Sequence, residues 1–206
     1  MFDSVIFLEK IIIEPPAAKI YSRLGFKKKI TSLSSFHRQE TDHHIEEAAS
    51  IIRLQGSFVR LPIRKNDGQD ISLDEQTKFS SAKLSVFLGG CREAVLLGAT
   101  AGHPIMEAIR EKTNRGDLTA AVVYDATASE MADAALDWMM TYINRQLRRE
   151  GRQLLSRRFS AGYADFALEN QKIIHEKLQL AKINVSITPS FILLPEKSVT
   201  AISGIA

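Results

Sequence analysis

The residues best suited to binding chemistry lie near the end of the chain, in the run Arg-Arg-Phe-Ser-Ala-Gly-Tyr-Ala-Asp at positions 157–165. Arg158 can donate two parallel hydrogen bonds to a carboxylate. Gly162 permits a positive φ or a close approach of the backbone to a ligand, and Tyr163 adds a flat ring with a hydroxyl group. This combination suits a zwitterionic, partly flat ligand; a surface turn with a packing tyrosine is the alternative interpretation.

Two carboxylates upstream, Asp133 and Asp137, are four residues apart in a helical pattern, so they share one helix face. That face lies opposite an apolar stripe containing Met131, Trp138 and Tyr142. Taken alone, the spacing favours a solvated acidic face.

Other residue types that often carry catalysis or metals lack the partners that such chemistry needs. The run Gly98–Gly102 has neither the lysine and serine of a phosphate loop nor a dinucleotide fingerprint, which favours a tight strand-to-helix turn. His37, His43 and His44 show no metal-ligand spacing, and Cys91 is interpreted as a small buried residue. No Gly-x-Ser-x-Gly elbow occurs. We therefore predict no catalytic residues and no metal site in this chain.

The composition is that of an ordinary globular protein, with 206 residues, 45% of them hydrophobic and 25% charged. The single cysteine excludes an intramolecular disulfide and fits a reducing cytoplasm. No window approaches 18 uninterrupted apolar residues, so we predict no membrane span. A net charge of +3 is too small to indicate a nucleic-acid-binding protein.

Positive charges cluster at Lys27–Lys29 and in a run of arginines towards the end of a long predicted helix. The run comprises Arg145, Arg148, Arg149, Arg152, Arg157 and Arg158. Cations near a helix C-terminus interact favourably with the helix dipole, and this explains most of the run. A docking surface for an acidic protein partner is the alternative interpretation.

Hydrophobic periodicity and turn residues predict an α+β fold with a mixed, mainly antiparallel twisted sheet and flanking helices. Strands are predicted at residues 7–13, 58–63, 71–73, 93–100, 191–194 and 199–202. Helices are predicted at residues 15–25, 38–54, 80–88, from 102, from 117 to about 150, and from about 168. The longest region is either one helix or two with a break near Asp125, since residues 127–130 have capping-box spacing.

We expect a single domain over residues 1–206, with an N-terminal helical part of about residues 1–55 and a ligand-binding core of about 56–206. The sequence contains neither internal repeats nor a low-complexity linker that would divide it further.

The motifs together resemble the activation domain of cobalamin-dependent methionine synthase, in its short, free-standing bacterial form. The resemblance is carried by Arg-Phe-Ser-Ala-Gly-Tyr at 158–163, a following helix, and Ser-Phe-x-Leu-x-Pro-x-x-Ser-Val at 190–199. Upstream, residues 17–26 are similar to the opening helix of that branch, residues 88–102 to its central strand and turn, and residues 124–134 to the start of its longest helix. The resemblance covers most of the chain, with the pieces in the same order.

This resemblance implies an accessory subunit of a methyltransferase. It would bind S-adenosylmethionine and present the methyl group for reductive methylation of cob(II)alamin on a separate methionine synthase chain. The implied partners are that cobalamin-binding chain and a flavodoxin- or ferredoxin-like electron donor, with neither nucleic acid nor a membrane. The nucleophile in this chemistry is reduced cobalt, which agrees with a chain that carries no catalytic dyad.

Carried over by the resemblance, Arg158 would hold the ligand carboxylate and the backbone around Ser160 would meet the adenosine. Gly162 and Tyr163 would shape the pocket. Asp133 stands where the family has a glutamate near its ligand, one methylene longer.

The chain departs from the family pattern at three places. Ala161 replaces a proline, which leaves the loop less rigid. No aspartate matches near Tyr21, and two tyrosines that line the family's site would lie beyond Ala206. Two hypotheses follow: a reactivation subunit that binds S-adenosylmethionine, or a non-catalytic corrinoid-protein docking partner that has lost this ligand.

Overall fold

A computed structural model describes residues 4–26 and 34–206. Its strands are β1 (Ile6–Leu8), β2 (Gln55–Pro62), β3 (Lys65–Asn66), β4 (Asp70–Ser72), β5 (Lys78–Ser80), β6 (Glu93–Thr100), β7 (Ser186–Ile187), β8 (Leu193–Leu194) and β9 (Ser198–Ile205). Its helices are α1 (Ala17–Arg23), α2 (Ser35–Ile51), α3 (Ala82–Phe87), α4 (His103–Asn114), α5 (Leu118–Leu147) and α6 (Asn170–Lys177), with 3-10 turns at Arg148–Glu150 and Leu180–Ile183.

A four-stranded antiparallel sheet lies at the centre, in the order β1-β2-β6-β9. Alternate side chains of each strand point to opposite faces. Phe58, Val95 and Leu97 pack in one hydrophobic cluster, and Val59 and Leu96 pack in another. Because both faces are covered, the central strands are mostly apolar, with Ser57 and Arg60 of β2 among the buried polar exceptions. The predicted α+β fold with an antiparallel sheet is confirmed.

The helices α2, α4 and α5 cover one face, and α5 is in contact with both other helices and the sheet. Asp117 caps its first turn by accepting a hydrogen bond from the N–H of Ala120 at 3.3 Å. The expected apolar stripe is present, with Trp138 and Tyr142 stacked at 5.5 Å between ring centroids.

The alternative of a break near Asp125 is wrong, because α5 is continuous over 30 residues. Thr127 does not cap a helix; its hydroxyl donates to the carbonyl of Val123 at 2.7 Å inside α5. The alanine-rich stretch around it contains no residue that breaks a helix, so the resemblance to a capping box had no structural consequence.

The other face of the sheet is covered by smaller elements. A sheet of order β3-β4-β5, the helices α3 and α6, the 3-10 turn Leu180–Ile183 and the β7-β8 pair lie there. Their apolar core includes Phe79 and Phe166, whose rings meet edge to face at 5.2 Å between centroids. This layer holds the ends of the loop that contains Tyr163.

Four predicted strands are clarified by the structure in length or pairing. The strand expected at residues 7–13 is β1, which ends at Leu8. Leu8 pairs with Gly56 of β2, and because β2 begins at Gln55, only one of its residues remains beyond that pair. The strand predicted at residues 71–73 is β4, which pairs with β3 and β5 in the small sheet. The strands predicted at 191–194 and 199–202 lie in different sheets, since β8 pairs with β7 and β9 with β6.

Several predicted boundaries are confirmed. α1 follows Pro15 and Pro16 and ends before Gly25, which has a φ of +88°. The Gly98–Gly102 run is a strand-to-helix turn, in which Gly102 has a φ of +84° at the start of α4. The lysine cluster Lys27–Lys29 lies outside the described residues.

Candidate functional site

The segment before the predicted loop, residues 152–159, runs along the outer edge of β9 and fixes the direction of Arg158; we call it the edge segment. Phe159 and Ile202 exchange two backbone hydrogen bonds, of 2.8 and 2.7 Å, and Leu154 forms a second bridge with Ile205. The side chain of Phe159 packs beside Phe166 on one side of the sheet. Since successive side chains alternate, Arg158 points to the other side, towards α5.

Arg158 is held there by two carboxylates of α5. Its Nη2 donates to Oδ1 of Asp133 at 2.5 Å, and its Nη1 donates to Asp137. The arginine side chain is 19% exposed, whereas both aspartate side chains are about half exposed. The prediction that Asp133 and Asp137 share a helix face is confirmed, and that face is covered by a guanidinium.

Helix α1 adds two further cations to this face. Lys19 Nζ donates to Oδ2 of Asp137 at 3.1 Å, and Arg23 Nη1 donates to Oε1 of Glu130 at 3.0 Å. Burial tends to raise the pKa of the Asp137 carboxyl, but hydrogen bonds from Arg158 and Lys19 outweigh it and hold this pKa below its usual value. Asp137 therefore stays ionised and bridges α1 to the β9 edge.

The loop after Arg158 is anchored through its own backbone and hydroxyl groups. Ser160 Oγ donates to the carbonyl of Thr200 at 2.8 Å. Gly162 has the positive φ, +88°, that its residue type permits, and its N–H donates to the carbonyl of Phe166 at 2.7 Å. Tyr163 is 69% exposed. The tip of the loop thus presents an aromatic ring to solvent on a fixed backbone.

A carboxylate just beyond the ring ties the loop to α3. Oδ1 of Asp165 accepts a hydrogen bond from Ser81 Oγ at 2.6 Å, and the N–H of Lys83 also donates to this carboxylate. The hydrogen bond from Ser81 lowers the pKa of Asp165. Sequence reasoning missed this anchor because Ser81 and Asp165 are 84 residues apart and neither forms a motif with its neighbours.

The predicted site residues are distributed in two groups. Arg158 and Asp133 are in direct contact, while Ser160, Ala161, Gly162 and Tyr163 follow as one loop. Within residues 4–26 and 34–206, the Tyr163 side chain forms no hydrogen bond or cation–π contact with Arg158. Lys19 and Asp137, which complete the ion-pair cluster, were not among the predicted site residues, although the four-residue spacing of the aspartates was a usable signal.

The histidines and the cysteine have structural partners. His44 is partly buried, with its Nδ1 3.0 Å from Oε2 of Glu47, a carboxylate that also accepts from the Tyr124 hydroxyl at 3.1 Å. Burial raises the pKa of the half-buried Cys91 thiol, which disfavours the thiolate. In the described part of the chain, no three His, Cys, Asp or Glu side chains converge so as to hold a metal ion.

Across the same described residues, every helix is too short or too polar to traverse a bilayer.

Comparison with known proteins identifies the fold. No family model and no curated protein matches the sequence. Among solved structures, the chain matches the crystal structure of the MetH reactivation domain bound to AdoHcy, with a TM-score of 0.70 and 16% sequence identity. The match covers 98% of this chain and 78% of that one. The chain therefore has the fold of that reactivation domain.

Proposed function

We propose that this protein binds S-adenosylmethionine at the Arg158–Tyr163 loop and presents its methyl group to cobalamin on a separate methionine synthase chain. The observation that carries the proposal is the loop itself. On the fold of a domain that was crystallised with AdoHcy, it holds a guanidinium against two carboxylates and extends an exposed tyrosine a few residues further on.

The charges of this cluster fit a ligand that carries both a carboxylate and cationic groups. Arg158 would take the ligand carboxylate, and Asp133 would face its ammonium and sulfonium groups. Tyr163 would offer a ring for packing against the adenosine, while the backbone of Ser160 and Ala161 would line the other side. When bound, S-adenosylmethionine supplies an electrophilic methyl group.

The contribution of this chain would be positioning. A fixed loop edge holds the donor in one orientation, so the transfer needs no protein base or nucleophile. In the described residues Arg158 contacts the carboxylates of Asp133 and Asp137, the Asp133 carbonyl and the Met140 sulfur, none of which forms a nucleophile–base pair with it. The partners on this proposal are a cobalamin-carrying methionine synthase chain and a flavodoxin- or ferredoxin-like electron donor in the cytoplasm.

The same ion pairs favour a second candidate function. Both Nη atoms of Arg158 already donate to Asp133 and Asp137, so an incoming carboxylate would have to displace one aspartate or bind at a remaining N–H. If these two aspartates bind Arg158 more strongly than the ligand carboxylate does, the chain is a corrinoid-protein docking partner that has kept the fold and no longer binds S-adenosylmethionine.

Isothermal titration with S-adenosylmethionine distinguishes the two functions. On the first, the wild type binds, and Arg158→Ala weakens binding by at least about tenfold, because a charge-assisted hydrogen bond contributes about 1.5–3 kcal/mol. The matched control is Arg115→Ala, which removes an exposed arginine paired with Glu111 on α4 and should leave the affinity unchanged.

Asp137→Asn tests directly whether Asp137 competes with the ligand carboxylate for Arg158. Removing this carboxylate raises the fraction of Arg158 available to a ligand, so we expect the affinity to increase by about three- to tenfold. Absence of measurable heat for both the wild type and Asp137→Asn would reject S-adenosylmethionine binding and leave the docking function.

A further inference from the structure

A second charged region lies at the far end of α5, about 16 Å along the helix from Asp137 at 1.5 Å per residue. It is formed by arginines from four parts of the chain, and we call it the arginine surface. Its members are Arg92, Arg145, Arg148, Arg149 and Arg152. All are exposed except Arg152, which is partly buried.

Within the described residues four of these arginines are unpaired, in contrast to the cations of α1 and to Arg158. Arg152 pairs with Glu93. Over residues 4–26 and 34–206, the side chains of the other four form neither an ion pair nor a hydrogen bond. By contrast, Lys19, Arg23 and Arg158 are each paired with a carboxylate of α5.

The acidic residues of this region do not neutralise the exposed arginines. Glu93 and Glu150 are both held by Arg60, whose side chain is 8% exposed. With Arg60 included, six arginine and two glutamate side chains give a local excess of four positive charges. The whole chain carries only +3, so the remainder of the protein is net acidic.

The helix dipole accounts for part of this arrangement only. Arg145, Arg148 and Arg149 lie in or just after the last turn of α5, where cations are favoured. Arg92 comes from the segment between α3 and β6, and Arg152 from the segment that follows the 3-10 turn Arg148–Glu150. Neither residue lies in a helix, so the helix dipole does not account for them.

The surface is also concave. A groove of about 560 Å³ is lined by Arg92, Glu93 and Arg152 among others, and a second of about 460 Å³ by Arg148, Arg152 and Gln153. Arg152 lines both, so the two grooves adjoin. Arginine is enriched at protein interfaces, where its planar fork binds carboxylates with two hydrogen bonds.

We infer that the arginine surface docks a protein partner through a carboxylate-rich segment of that partner. Side-chain carboxylates would enter the adjoining grooves and pair with Arg92 and Arg148, which line them, and with Arg145 and Arg149 at the rim, while the positive field would steer their approach. The inference is independent of the proposed function, because it depends on charges that do not contact Arg158 or the Tyr163 loop.

The test uses a fluorescein-labelled decaglutamate peptide and fluorescence anisotropy at 50 mM salt, without S-adenosylmethionine. The wild type should bind, and the pair Arg92→Glu/Arg148→Glu should weaken binding at least about tenfold. Arg145→Glu/Arg149→Glu, a second pair, guards against misfolding of the first and should act similarly. The control Arg110→Glu/Lys172→Glu reverses two exposed cations elsewhere and should change the affinity by less than about twofold.

Three outcomes would overturn the inference: no binding by the wild type, equal weakening by the control pair, or retained binding in both arginine pairs when circular dichroism shows them folded. A single-stranded thymidine decamer serves as a probe of phosphodiester charge. Tighter binding of the decamer than of the peptide would indicate nucleic acid and would also reject a protein partner.

Discussion

Asp74 organises the turn between β4 and β5. Its Oδ1 accepts hydrogen bonds from the N–H groups of Gln76 at 2.9 Å and Thr77 at 2.7 Å, and the carboxylate pairs with Lys177 of α6. Burial raises the pKa of Asp74, but Lys177 and Thr77 together outweigh it and lower the pKa from 3.8 to about 2. One charge thus joins the small sheet to α6.

We expect Asp74 to contribute up to about 2 kcal/mol to the free energy of unfolding at neutral pH. Its pKa is lower in the folded state, so this contribution is complete above the unfolded pKa of 3.8 and is lost as the pH falls through about 2. The stability difference between wild type and Asp74→Asn should therefore shrink below about pH 4, measured by urea unfolding at pH 7, 4 and 2.5. Glu75→Gln, at an exposed neighbour, is the control; a difference that stays constant with pH would contradict the role of the Asp74 charge.

At the scale of elements, the 3-10 turn Leu180–Ile183 lies directly on the sheet because β6 has a glycine beneath it. A Cβ added to Gly98 would be 2.7 Å from Cδ2 of Leu180 and 3.1 Å from Cδ1 of Leu178. The neighbouring Ser57 Oγ donates to the buried carbonyl of Leu178 at 2.9 Å, which fixes the height of the turn above the strands.

Gly98→Ala should therefore destabilise the protein by about 1–3 kcal/mol, the usual cost of overpacking a core. Leu180→Ala should cost about 2–5 kcal/mol by leaving a cavity. In the double variant the new methyl group occupies part of that cavity. The double variant should therefore lose less stability than the sum of the two single losses, by at least about 1 kcal/mol. Urea unfolding of all four proteins measures this coupling, and simple additivity would show that the two sites do not touch.

The elements that the sequence predicted well are those whose signals are local. Pro15 and Pro16 marked the start of α1, and the apolar run at 93–100 coincided with β6. Strand pairing was not predictable in the same way, since the partner of β8 depends on a 3-10 turn and on β7, for which the sequence shows no periodic pattern. The pairs of Arg158 with Asp133 and Asp137 are 25 and 21 residues apart. The four-residue spacing indicated that Asp133 and Asp137 share a helix face. Only the fold shows that the Arg158 guanidinium covers that face.

At the scale of the whole molecule, Arg60 connects the central sheet to the end of the longest helix. Its Nε and Nη2 donate to the two oxygens of Glu93 at 2.8 and 2.7 Å, and its Nη1 donates to Glu150 at 2.9 and 3.0 Å. Arg152, at the start of the edge segment, also pairs with Glu93. The cluster thus joins β2, β6, the 3-10 turn after α5 and the segment that leads to Arg158.

Because Arg60 is buried and forms four of these hydrogen bonds, its removal should lower the free energy of unfolding far more than removal of a peripheral member of the cluster. Arg60→Ala leaves Glu93 partly buried with Arg152 alone, and breaking a buried pair costs about 3–5 kcal/mol. Glu150→Gln removes a charge whose side chain is 39% exposed and should cost no more than about 1 kcal/mol. Urea unfolding at pH 7 measures the two losses of stability, and an unchanged m-value shows that they can be compared directly. Comparable losses in the two variants would mean that the guanidinium is already well solvated, and that packing, rather than this cluster, holds the end of α5 against the sheet.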